Sequence, residues 1–106
     1  MITVNIYDDT TLAGILEYDD SNYIFTYDDN FLTSKETTAI SLTLPKQKEP
    51  FISQTLHPFF SGLLAEGSLK ELQCKQLKID ENDDFTRLIN TAKDDTIGTI
   101  TIKEIL

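Results

Sequence analysis

Apolar and polar side chains alternate in two stretches of the first 27 residues with the two-residue period of half-buried strands. Ile2, Val4 and Ile6 interleave with Thr3, Asn5 and Tyr7, and Asp8-Asp9-Thr10 follows as a turn. Residues 12–18 are apolar on both faces around Gly14, which marks a bulge or a close backbone approach. After a second turn cluster, Asp19-Asp20-Ser21-Asn22, the residues Tyr23, Phe25 and Tyr27 alternate with Ile24 and Thr26. Three strands joined by short polar turns predict an antiparallel meander. Residues 28–38 are polar and irregular, apart from Phe31-Leu32, which are expected to tuck a loop onto the core. Ile40, Leu42 and Leu44 alternate with Ser41 and Thr43, predicting a fourth strand that ends at Pro45. Residues 46–50 read as a charged connector.

The period then changes. Pro58 suits the first turn of a helix, where its missing N–H costs nothing. Phe59 and Leu63 are spaced i,i+4, as are Phe60 and Leu64, and Gly67 is placed to stop a helix over residues 58–66. Ser68 and Glu71 form a capping-box pattern that opens a second helix through Leu69, Leu72 and Leu77. Asn82 or Asp83 caps a third, with Phe85, Leu88, Ile89 and Ala92 on one apolar face. Gly98 precedes a last strand, Thr99-Ile100-Thr101-Ile102. The predicted order is ββββ-ααα-β, an α+β domain covering residues 1–106. Its core is a small antiparallel sheet or partly closed barrel of about five strands, with helices packed against it.

Composition narrows the functional classes. A chain of 106 residues with 40% hydrophobic and 25% charged residues fits one folded domain. The sequence has no apolar run of membrane-spanning length, and its start, Met1-Ile2-Thr3-Val4, does not read as a secretory signal. The single cysteine, Cys74, suits a reducing compartment, so a soluble cytoplasmic protein is expected. The formal net charge is −9. Such a surface repels phosphate backbones and anionic lipid headgroups, which disfavours direct nucleic-acid or membrane binding and leaves protein partners.

Candidate chemistry is sparse. The acidic pairs Asp8-Asp9, Asp19-Asp20, Asp28-Asp29, Asp83-Asp84 and Asp94-Asp95 each fall where a strand or helix starts or stops. Aspartate favours those places for local hydrogen-bonding reasons, and none of the pairs has the spacing of a calcium loop. His57 is the one histidine, at a predicted helix start, and a dyad with Cys74 has no supporting pattern. Glycines at 14, 62, 67 and 98 are too dispersed for a phosphate-cradling loop. No catalytic residue, metal site or cofactor is expected, and the weight moves from enzyme to binding module.

The ordered set of motifs carries more information than any one of them. Ile40-Ser-Leu-Thr-Leu-Pro45, His57-Pro-Phe-Phe-Ser-Gly-Leu-Leu-Ala-Glu-Gly67, Asp83-Asp-Phe85 and Ile97-Gly-Thr-Ile100 follow one another across nearly the whole chain. Leu12, Gly14, Leu16 and Glu17 add an opening "LxGxLE". This series resembles the N-terminal subdomain of HipA-type serine/threonine kinases. In full-length members a kinase body follows that subdomain, whereas this sequence stops at Leu106. It is therefore similar to the small, HipS-like component of split, three-gene toxin–antitoxin systems of the HipBST type. The resemblance implies an antitoxin: a kinase inhibitor that binds and neutralises a separately encoded HipA-like kinase toxin. A helix-turn-helix DNA-binding protein is the implied third member of the complex. A non-inhibitory scaffold that completes a split kinase is the alternative, and an independent enzyme using His57 is a third reading.

The sequence departs from the family at one informative place. Ala65 replaces a proline, and Ser68 stands where the family often has a large residue. Serine cannot plug an active site by bulk, so either Phe59 or Phe60 supplies it or the kinase is held open. The expected partner-binding residues are Phe59, Phe60, Leu63, Leu64, Glu66, Gly67 and Ser68, with two of the four apolar ones assigned to the core because one helix face must pack on the sheet.

Overall fold

The computed structural model describes residues 2–64, 66–91 and 100–104. Five antiparallel strands form one open sheet in the order β4-β3-β2-β1-β5. They are β1 Ile2–Asp8, β2 Thr11–Tyr18, β3 Tyr23–Tyr27, β4 Phe51–Ser53 and β5 Ile100–Glu104. Four helices pack against them: α1 Asp29–Thr33, α2 Pro58–Ser61, α3 Gly67–Leu77 and α4 Asp84–Thr91. The α+β architecture matches the sequence reading, and of its two forms the sheet is the one realised. With β4 and β5 as separate edges, no barrel closes.

The meander forms where alternation predicts it, because Val4, Ile6, Leu16, Phe25 and Tyr27 all point into the core. Aspartates make the connections. Asp9 and Asp20 adopt positive φ, and the Asp19 carboxylate accepts the Ser21 and Asn22 N–H groups at 2.9 and 2.7 Å. Gly14 marks both a bulge and a close approach. The β1–β2 register slips between Ile6 and Tyr7, and a Cβ at Gly14 would lie 2.4 Å from the Thr26 carbonyl oxygen and 3.0 Å from the Phe25 ring.

The fourth strand is not where alternation places it. Residues 40–44 form a tight turn instead, closed by a Ser41–Leu44 bridge with the Leu44 N–H donating to the Ser41 carbonyl at 3.1 Å. The Ser41 hydroxyl accepts the Thr43 N–H at 3.2 Å and lies 2.9 Å from the Thr43 hydroxyl. These local side-chain bonds compete with strand pairing and win. Leu44 is buried, Leu42 is fully exposed, and the Tyr27 hydroxyl pins the turn by donating to the Leu44 carbonyl and accepting the Ile40 N–H. The actual β4 lies further on, beyond Pro50.

A short helix, α1, interrupts the predicted run of strands. Asp28 caps it by accepting the Asn30 N–H at 3.1 Å, and it buries Phe31 as the sequence suggested. In α4, Asp83 is the cap, accepting the Thr86 N–H at 3.1 Å, with Phe85 and Leu88 buried and Ile89 half-buried. Ala92, the pair Asp94-Asp95, Gly98 and Thr99 lie outside the described residues. Because β5 pairs with β1, the two ends of the chain share the sheet, and α4 rests against β5.

Candidate partner-binding site

The expected site surrounds α2, which is shorter than the i,i+4 spacing predicts. His57 caps it, its Nδ1 accepting the Phe59 N–H at 3.0 Å, and Pro58 occupies the first turn as expected. The helix ends at Ser61 with Gly62 as its cap, and the chain then tightens into i→i+3 bonds, Leu63 N–H to Phe60 and Leu64 N–H to Ser61. Burial holds the His57 imidazole below its ordinary pKa, while a hydrogen bond to the Thr43 backbone acts weakly the other way. A neutral ring accepting a backbone N–H is a capping group, which is how His57 is used here.

The four apolar candidates divide in two. Phe60 and Leu64 belong to the core. The Phe60 ring sits 5.5 Å from Phe25 and 5.2 Å, edge-on, from Phe59. Its burial removes it as a plug for a partner's active site. Phe59 and Leu63 pack at the core's margin, half-buried. Beside them an apolar recess of about 130 Å³ opens against edge strand β4, lined by Tyr23, Phe25, Phe51, Ser53, His57 and Phe60 among others. Its lining includes no carboxylate, and among the described residues no group of three His, Cys, Asp or Glu side chains is placed to hold a metal ion.

Glu66, Gly67 and Ser68 are exposed, and Ala65 lies outside the described residues. Gly67 has φ +62°, the left-handed conformation expected of a stop, but it also begins α3. The predicted Ser68 cap is not formed. Glu66 occupies the cap position without a side-chain hydrogen bond, and Ser68 lies within the first turn. The open glycine lets the chain reverse directly into the helix, so the serine arrives two residues too late to cap it.

Sequence reasoning missed the exposure of α3. Cys74 is its buried residue, while Leu69, Leu72 and Leu77 stand 53%, 51% and 48% exposed. Among the described residues α3 packs only lightly on the rest of the domain. Its cations were the available signal: Lys70 and Lys75 on the helix and Lys78 at its C-cap account for three of the nine basic residues in a chain of net charge −9.

Comparison with known proteins agrees with the fold. Residues 4–103 match the HipA N-terminal domain family. An uncharacterized protein of Haemophilus influenzae is 33% identical over 91 residues, covering 86% of this chain and 81% of the relative. A putative kinase, Y4mE, of Sinorhizobium fredii is 33% identical over 86 residues, covering 80% of this chain but only 20% of the kinase. Among solved structures, the N-terminal domain of HipA toxin superposes with a TM-score of 0.76 at 25% identity, covering all of this chain and 94% of that one.

Proposed function

The chain belongs to the HipA N-terminal domain family, and from that premise we propose that it is an antitoxin that binds a separately encoded HipA-like serine/threonine kinase toxin and neutralises it. The observation that carries this reading is the match to the N-terminal domain of HipA toxin over the full length of this chain. In the putative kinase Y4mE the matching region is one fifth of a longer protein. The Haemophilus influenzae relative is little longer than the region it shares with this chain, which supports a domain that works in trans. The reading makes the protein a binding module in the cytoplasm and not an enzyme, with His57 as a cap. A helix-turn-helix protein completes the complex and supplies its DNA contacts, which a net charge of −9 disfavours for this chain.

Co-expression tests the proposal. Growth arrested by the kinase is expected to recover when this chain is co-expressed, and the two proteins are expected to co-purify. Persistent arrest with no complex at micromolar concentrations contradicts it. The domain's presence inside the putative kinase Y4mE favours a second reading, a scaffold that supports phosphorylation. Kinase activity separates the two: it falls as this chain is added to an active toxin that it neutralises and rises when the chain completes a split enzyme.

A further inference from the structure

We propose that α3 is the docking helix of this domain, seating Leu69, Leu72 and Leu77 in an apolar groove rimmed by carboxylates on the HipA-like kinase; this rests on the kinase-binding reading above and names its surface.

At about 100° per residue, Leu72, Leu69, Leu77 and Cys74 spread over an arc of roughly 200°, with Gln76 and Gln73 on either side of Leu69 and Lys70 between Leu77 and Cys74. A helix lying on a domain needs an apolar stripe of only about 100°. In α3 the Cys74 end of the arc is covered, and the three leucines at the other end remain about half exposed. The excess is a set of three half-exposed leucines on one side of a helix, interleaved with two glutamines, and such spaced anchors are how one helix enters another protein's groove.

Charge identifies the occupant. Around the same helix Lys75 flanks Leu72 and Lys70 flanks Leu77, while Glu71 lies on the opposite side. The exposed leucines are thus bracketed by cations on an otherwise acidic protein, so the complementary surface is an apolar floor between carboxylates. A second copy is a poor occupant. Two α3 faces in contact would bring lysines against lysines while joining bodies of charge −9.

The surface differs from the one expected around α2, where Phe60 and Leu64 are already used by the core. Exposed apolar residues elsewhere provide controls: Ile52 on edge strand β4 and Leu42 at the 40–44 turn.

Calorimetric titration of the purified chain into the separately purified kinase, with association rates read by stopped-flow mixing, tests the proposal. L69S/L72S is expected to weaken binding at least 30-fold while leaving the circular dichroism spectrum and melting temperature of the free domain unchanged. K70E/K75E is expected to lower affinity at least 10-fold, with most of the loss in association rate and most marked at low salt. I52S and L42S are expected to stay within twofold of the wild type. Full binding by L69S/L72S overturns the docking helix and leaves the kinase partnership standing. Absence of binding by the wild type overturns both. A dimer of the free domain in sedimentation that L69S/L72S dissolves assigns the face to a second copy and overturns the proposal.

Discussion

The helices α2 and α3 are separated by a handful of residues and treat their apolar side chains in opposite ways. In α2, four residues long, Phe60 is sealed against Phe25 and the sheet. In α3, eleven residues long, three leucines stay about half exposed and Cys74 alone is buried. The longer and more leucine-rich helix contributes less to the core. The difference lies in what each meets: α2 falls over the meander and beside α4, whereas α3 leaves the left-handed Gly67 on a course that packs lightly. Hydrophobic content therefore identifies residues that want cover, and tertiary placement decides whether the domain itself supplies it.

The largest effect expected from this contrast is on folding. Phe60→Ala removes a fully buried ring and should cost about 3–5 kcal/mol in urea melts. A loss below 1 kcal/mol would mean that α2 is not a core element. Gly14→Ala sharpens the same point, because its new methyl would collide with the Thr26 carbonyl oxygen and press on Phe25, the ring that Phe60 packs against. A loss of about 1–3 kcal/mol is expected.

The cap gives a smaller effect. His57→Ala should cost about 1 kcal/mol through loss of the bond to the Phe59 N–H, and His57→Asn should recover most of it. The same residue gives a pH signature. Its folded pKa lies below the unfolded value, so the unfolded chain takes up the proton first as pH falls. The stabilisation is full above about pH 6.5 and declines below it, toward the folded value. Thermal melts from pH 7.5 to 5 should show that decline in the wild type and a shallower one in His57→Asn.

The smallest expected effect belongs to α3. Leu69→Ala and Leu72→Ala should each change stability by less than about 0.5 kcal/mol, since both side chains are already about half exposed on a lightly packed helix. A loss of 2 kcal/mol from either would place α3 in the core and remove the contrast.

Much of the fold was legible in the sequence. The alternation of Val4 and Ile6, the aspartates in the turns, the double meaning of Gly14, the Asp83 cap and the Phe85–Leu88 face all reappear in the structure. The misplaced strand shows where pattern loses to chemistry. Ile40, Leu42 and Leu44 alternate well, but Ser41 and Thr43 satisfy one another and the backbone locally, leaving Leu42 exposed. At three residues, β4 is too short to generate a period. At the candidate site, the sequence named Phe60 and Leu64 among partner residues while assigning two of its four apolar positions to the core. It had no means of choosing them, because i,i+4 spacing fits a core face and an interface equally. The α3 leucines were read as ordinary helix positions for the same reason.

Hydrogen exchange, followed in the free domain and in its complex with the kinase, tests the account most directly. Binding through α3 predicts new protection of the amides of residues 68–77, with those of residues 60–64 and of β1 unchanged. Identical exchange in the presence and absence of the kinase, or new protection confined to β4, would contradict it.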